Sequence, residues 1–178
     1  MNYSALTKGI IGKVLAGIAI INNPEIEPEV RQRNMEIFLG EVGNAVYDKV
    51  YDMNAFDYEI EFTRGQGIGN RFVGMAKIAS DSVSTGGKAV VAQQVTNYLG
   101  QMAALAQEDA TRIARENGKR PMVIRSTNGD TCKWCQSLAG TYTDPPREVF
   151  ARHRDCDCAI ETRGYRSRNG LLQNYNKG

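Results

Sequence analysis

The four cysteines of this chain constrain its fold more than any other feature of the sequence. They stand in the last third of the 178 residues as Cys132-x-x-Cys135 and Cys156-x-Cys158, and the only histidine, His153, precedes the second pair by three residues. Two close pairs of thiolates separated by about 20 residues can meet at the corners of a tetrahedron, which is the geometry of structural zinc. The spacing therefore predicts a zinc site near the C-terminal end of the chain.

The spacing does not by itself decide which of these five residues bind the metal. Residues i and i+2 of an extended segment point to the same side, so Cys156 and Cys158 can both face the ion. We favour four sulfur ligands, Cys132, Cys135, Cys156 and Cys158, with His153 as a hydrogen-bond donor to the site or an alternate ligand. A closed, sulfur-rich shell leaves no position for a catalytic water, so we expect a structural metal, and zinc suits that role better than iron.

Three other interpretations of the cysteines are open. Two disulfides need an oxidising compartment, and the chain shows no convincing secretory signal. A redox Cys-x-x-Cys pair usually begins a helix in a βαβ unit, whereas Cys132 follows the turn-like sequence Asn128-Gly129-Asp130. The third alternative is a set of unrelated buried thiols.

The residues around the cysteines carry a resemblance to a known family. Asp130, Cys132, Cys135, Leu138 and Gly140, followed by His153, Cys156 and Cys158, resemble the C-terminal module of phage Mu F-like minor head proteins, which include related head morphogenesis proteins. The similarity covers about 30 of the 178 residues. Many family members have a proline directly after the histidine, where this chain has Arg154, so we expect any departure from the family in the path of the loop rather than in the set of ligands.

The resemblance implies a non-enzymatic structural protein of a phage or phage-like particle. Such a minor head protein lies inside the capsid near the portal, is oligomeric in the particle, and passes through the host cytoplasm during assembly. Its expected partners are the portal, other capsid proteins and packaged DNA, with no small-molecule substrate, and its expected role is in head assembly and DNA packaging or ejection. Trp134, Leu138 and Tyr142 would then pack around the metal or against a partner.

Charge is nearly balanced over the whole chain but not at its end. The chain has 22 lysine and arginine residues and 20 acidic residues. This small positive excess does not require a polyanionic partner. The last segment, 163–178, has no acidic residue and four basic ones, Arg163, Arg166, Arg168 and Lys177. Such a tail can contact nucleic-acid phosphates, or it can simply be a solvated terminus. This leaves a free zinc-ribbon nucleic-acid-binding protein as an alternative function.

Apolar periodicity predicts a mainly helical (α+β) chain with a long-helix body and a small C-terminal β-ribbon metal module. Helical spacing of apolar residues covers about 6–21 and 28–53, and a helix from about 88 to 117 ends at Gly118 as a C-cap. In that last helix we expect Met102 and Ala106 to face the core and Asp109 to face solvent. We divide the chain into a helical domain, 1–120, a zinc-ribbon-like module, 121–162, and the basic tail, 163–178.

The first helix carries a broad apolar face. Its uninterrupted apolar run, Val14 to Ile21, is far shorter than the ~20 residues that span a bilayer. We expect the helix to dock into the protein's own core or a partner's groove. The alternative is a membrane-active ejection protein.

Shorter elements are predicted between and after the helices. Residues 58–63 alternate as a strand would, and a glycine cluster at 65–69 separates them from a helix near 71–79. After the third long helix, residues 122–125 form a predicted strand that can pair with 158–162 and close the metal module into a ribbon.

Three motifs that suggest an enzyme fail in detail. In Gly65-x-Gly67-x-Gly69 the third glycine does not stand at the position that a dinucleotide-binding G-x-G-x-x-G loop requires. No further βαβ units follow it. In the phosphate-loop-like stretch before Lys88, Ala89 stands where a magnesium-binding serine or threonine is required. Glu59 and Glu61 superficially suggest an ADP-ribosyltransferase, but two carboxylates on one face of a strand are ordinary. We therefore expect no enzymatic activity.

Overall fold

The computed structural model describes residues 3–60, 88–127, 132–153 and 158–163, in which three long helices dominate. Helix α1 spans Tyr3–Ile21, α2 spans Pro28–Tyr58, and α3 spans Lys88–Glu116. The smaller elements are strand β1 (Met122–Ser126), helix α4 (Lys133–Ser137), strand β2 (Gly140–Tyr142), a 3-10 helix (Arg147–Phe150) and strand β3 (Ala159–Arg163). The predicted fold class, mainly helical with a small C-terminal β module, is confirmed.

The main core lies between the three long helices. Helices α2 and α3 pack along each other, and α1 contacts both of them. Helix α1 buries Val14 and Ile18 in this core, which confirms that its apolar face docks within the chain. Burial of that face offsets the low helix propensity of the glycines in α1. In the described part of the chain, no helix combines the length and the hydropathy needed to cross a membrane.

Helices α2 and α3 approach closely at Gly43. The Tyr98 hydroxyl of α3 donates a hydrogen bond to the Leu39 carbonyl of α2, with 2.9 Å between the oxygens. A Cβ atom at Gly43 would overlap that hydroxyl group. The buried tyrosine therefore requires a glycine on the facing helix.

Helices α2 and α3 end in the same way. At the end of α3, Gly118 has a φ of +72° and the Lys119 N–H donates to the Ala114 carbonyl, so the predicted glycine cap is confirmed. Helix α2 ends at Glu59, whose φ is +55°. The prediction of a strand over 58–63 is therefore wrong for all three of its described residues, 58–60, because Tyr58 ends the helix and Glu59 caps it.

The cause of this difference is tertiary. Tyr58 is 1% exposed, and its hydroxyl lies 3.2 Å from the Thr111 hydroxyl of α3, so packing holds it in the helix although the local alternation also suits a strand. The rest of the predicted strand, 61–63, the glycine cluster at 65–69 and the predicted helix near 71–79 lie outside the described residues.

A three-stranded antiparallel sheet follows the helices, with β1 between β2 and β3. The predicted pairing of β1 with β3 is confirmed, and its register places Val123 opposite Thr162 and Arg125 opposite Ile160. These four residues are buried, so they define the inner face of the sheet. Arg125, at 1% exposure, is an unusual member of such a face.

The inner face of the sheet packs on the helical body. Val123 and Ile160 join Val149, Phe150 and the α3 residue Ala104 in a second apolar cluster. Two buried polar contacts reinforce it: Gln107 Nε2 of α3 donates to the Ile160 carbonyl over 2.9 Å, and the Thr162 hydroxyl of β3 donates to Asn54 Oδ1 of α2. The β module and the helical segment therefore share buried contacts across the predicted boundary at 120/121.

Asp109 departs from the predicted outward orientation. It is 8% exposed, and one of its carboxylate oxygens accepts a hydrogen bond from the Tyr47 hydroxyl over 2.9 Å. Burial, followed by the Asp109 charge, raises the pKa of Tyr47 above its usual value, so the tyrosine stays a hydrogen-bond donor. A carboxylate on the inner side of α3 is stable because it accepts a hydrogen bond from a buried hydroxyl of α2.

Candidate metal centre

The first half of the candidate metal centre is the turn at the start of α4. Cys132 is the N-cap of this helix, and its sulfur accepts a hydrogen bond from the Cys135 N–H over 3.4 Å. The turn aims both side chains to one side, with Cys132 exposed and Cys135 fully buried. A Cys-x-x-Cys pair in this conformation presents two sulfurs to one point.

The second half comes from the chain after the 3-10 helix. His153 Nε2 lies 3.1 Å from the Cys132 sulfur and 2.9 Å from the Cys135 sulfur. The three donor atoms all lie within 4.8 Å of one another. One ring nitrogen of His153 therefore lies close to both thiols, which precede it by 21 and 18 residues in the sequence.

The spacing of the three donor atoms is compatible with three ligands of a tetrahedral metal ion such as zinc. Zinc bonds of about 2.3 Å to sulfur and 2.0–2.1 Å to nitrogen place neighbouring ligand atoms roughly 3.5 Å apart. The sulfur–nitrogen distances of 3.1 and 2.9 Å are only slightly shorter, and small side-chain rotations would admit the ion. Thiolate with imidazole is also a donor set that suits zinc.

The local electrostatics favour the metal-binding form of the exposed cysteine. The backbone N–H of Cys135, which points at the sulfur, lowers the pKa of the Cys132 thiol, and His153 acts in the same direction. Because the thiolate is the form that binds metals, the turn prepares Cys132 for coordination.

Arg125 connects the two halves of the centre, and sequence analysis assigned it only to a strand. Its guanidinium donates to the carbonyls of Val149 and Ala151, over 2.7 and 2.8 Å, and to the Cys135 sulfur over 3.6 Å. It thereby holds the cysteine turn and the segment leading to His153 at a fixed separation. The signal was present in the sequence, since alternation places Arg125 on the same strand face as the apolar Val123.

Trp134 covers one side of the centre. Its ring lies 5.4 Å from the Arg125 guanidinium carbon and packs edge-on against the His153 ring, with 5.8 Å between the ring centres. The indole is 43% exposed, so it shields the histidine while keeping one face toward solvent. The single tryptophan of the chain is therefore a built-in spectroscopic reporter of the centre.

Of the other predicted site residues, only Cys158 and Arg163 are among those that the structure describes. Cys158 is buried immediately before β3, and its sulfur is not among the grouped donors of the described residues. Arg163 is the last residue of β3 and lies 3.6 Å from the Glu161 carboxylate, so it belongs to the sheet. Cys156, Arg166, Arg168 and Lys177 lie outside the described residues.

Comparison with known proteins adds no relative. No family model, no curated protein and no solved structure matches this chain.

Proposed function

We propose that Cys132, Cys135 and His153 bind a structural zinc ion that holds the C-terminal β module together. The observation that carries this proposal is the convergence of the His153 ring nitrogen on both sulfurs of the cysteine turn. Of the two remaining cysteines, the sequence offers Cys156 as the source of a fourth ligand, since the Cys158 sulfur is not among the grouped donors of the described residues. Sulfur-rich sets with one imidazole are typical of structural rather than catalytic zinc.

A metal at this position would connect segments that have little regular structure of their own. The region between β2 and β3 contains only the four-residue 3-10 helix among its described elements. Such a region gains order from a metal because binding energy is also folding energy. The zinc would thereby fix the surface around the cysteine turn, including the partly exposed Trp134, for contact with a partner.

For the biological role, we propose a non-enzymatic minor head protein of a phage or phage-like particle. Support comes from the Mu F-like cysteine and histidine motif and from a long helix, α3, that runs directly into the motif-bearing module, as in that family. Its partners would be the portal and other capsid proteins, and it would contact packaged DNA. The zinc centre would be an assembly determinant there.

Quantitative mass spectrometry of purified particles from the source tests this role. The readout is the copy number of this chain relative to those of the portal and the major shell protein. A reproducible ratio near or below that of the portal supports a minor head protein at a unique vertex. Absence from every particle fraction would contradict the proposal and favour the free zinc-ribbon protein, whose nucleic-acid binding should weaken with salt.

A further inference from the structure

Helices α1 and α2 enclose a surface groove that the metal centre does not involve. Its volume is about 350 Å³, and its floor is apolar, formed by side chains that include Ile10, Phe38 and Val42. The charged residues that line it are both lysines, Lys13 on α1 and Lys49 on α2. An apolar channel with a cation on each wall suits an apolar group flanked by carboxylates.

The opposite combination occurs at the turn that joins the same two helices. Glu25, Glu27 and Glu29 are all exposed there. Ile20, 75% exposed at the end of α1, and Val30, 47% exposed at the start of α2, flank these carboxylates. We call this surface, residues 20–30, the acidic tip. Its apolar side chains are complementary to the apolar floor of the groove. Its negative charges are complementary to the two lysines that line the groove.

We propose that the acidic tip of one molecule docks into the α1–α2 groove of a second copy. The acidic tip cannot reach the groove of its own molecule, because both surfaces lie on the same pair of packed helices. Ile20 and Lys13 belong to the same helix, seven residues and roughly 10 Å apart along its axis. Phe38 also closes the groove on the side of the turn, since its ring packs against Gly17.

This contact joins two different surfaces, so with one tip–groove contact per pair of molecules it is heterologous. Each assembly keeps a free tip on one terminal molecule and a free groove on the other, so further copies can add in the same orientation. A closed ring forms if the rotation between neighbours closes, and an open filament forms if it does not. This proposal does not depend on the zinc centre or on the role in a particle.

Sedimentation velocity of the full-length protein over a range of concentrations tests the proposal. We expect the average mass to rise above the 19.7 kDa of the monomer as concentration increases. The double variant Lys13→Glu/Lys49→Glu should weaken self-association by about 10-fold or more, because like charges then face each other. Glu25→Lys/Glu27→Lys should have the same effect. A mixture of the two variants should recover association, since each supplies the surface that the other requires.

A matched control carries the same change in charge elsewhere. Arg33→Glu/Arg120→Glu alters two exposed arginines outside the groove and the tip, and should associate as the wild type does. A wild-type protein that remains monomeric at every concentration overturns the proposal. Equal association in the wild type and both charge-reversed variants also overturns it. A monomer that instead binds a fatty acid or an acidic amphipathic peptide would assign the groove to that ligand and reject the second copy.

Discussion

The guanidinium of Arg125 donates a hydrogen bond to the sulfur of Cys135, 3.6 Å away, from the buried face of β1. The same group holds the carbonyls of Val149 and Ala151 just before His153. A residue that is not a ligand thus sets the spacing between the cysteine turn and the histidine. Mutation of groups that position metal ligands in this way typically lowers metal affinity by roughly 10–100-fold.

Replacing Arg125 should weaken the metal centre without removing a ligand. We expect Arg125→Met to lower zinc affinity by roughly 10–100-fold, and to reduce the free energy of unfolding by about 3 kcal/mol because buried carbonyls lose their donor. Chelator competition followed by Trp134 fluorescence measures the affinity, and urea unfolding measures the stability. The exposed Arg120→Met is the control. Unchanged zinc affinity in Arg125→Met would show that the guanidinium has no positioning role.

The cysteines can be separated by their effect on metal content. Cys132→Ser and Cys135→Ser should each lose zinc and make the segment 132–153 sensitive to protease, since ligand binding and local folding are coupled. Cys158→Ala should keep its zinc, because the Cys158 sulfur lies outside the grouped donors of the described residues. Metal analysis of the purified variants provides the comparison. Loss of zinc from Cys158→Ala would instead favour the four-sulfur set predicted from the sequence.

The sequence alone predicts the elements whose signals are local. The helices at 28–53 and 88–117, the Gly118 cap and the pairing of 122–125 with 158–162 follow from periodicity and spacing, and the structure has all of them. These features depend on side chains a few residues apart, or on short strands of matching pattern. They are therefore accessible without knowledge of the tertiary fold.

The remaining features depend on residues distant in sequence. Tyr58 continues α2 because its side chain packs against Thr111 of α3. Asp109 turns inward because the Tyr47 hydroxyl of α2 donates a hydrogen bond to its carboxylate. Spacing identifies the five candidate ligands but not which of them converge. The proximity of His153 to the cysteine turn arises from the Arg125 contacts, which link residues 24 and 26 positions apart.

The contact between Gly43 and Tyr98 predicts opposite effects at two glycines of one helix. Gly43→Ala should reduce the free energy of unfolding by about 1–3 kcal/mol, because the new methyl group overlaps the Tyr98 ring and hydroxyl. Gly40→Ala, where nothing lies within 4 Å of the added Cβ, should raise it by up to about 1 kcal/mol through helix propensity. Urea unfolding of both variants is the measurement. Equal changes in the two would contradict the close approach of α2 and α3.

Tyr98 should contribute to the alkaline dependence of stability. Burial raises the pKa of its hydroxyl to about 12, whereas a tyrosine in the unfolded chain ionises near 10. The folded state therefore holds this proton longer, and the contribution is complete below about pH 10 and is lost as pH rises toward 12.

The variant Tyr98→Phe isolates this effect. It should be less stable than the wild type at neutral pH, because the hydrogen bond to Leu39 is lost. The difference between the two proteins should shrink between about pH 10 and pH 12, since only the wild type has the Tyr98 proton to lose. Unfolding in urea at a series of pH values gives the comparison. A constant difference across that range would mean that Tyr98 ionises equally in both states.

The most direct test of the metal centre is the zinc content of the purified wild-type protein and of His153→Ala, determined by elemental mass spectrometry. We expect one zinc per wild-type chain and a marked loss in the variant, because the imidazole faces both sulfurs. A chelator should remove the metal and leave the β module sensitive to protease while the three long helices persist. A wild-type protein that contains and binds no zinc, or a variant that keeps it in full, would contradict a centre built on Cys132, Cys135 and His153.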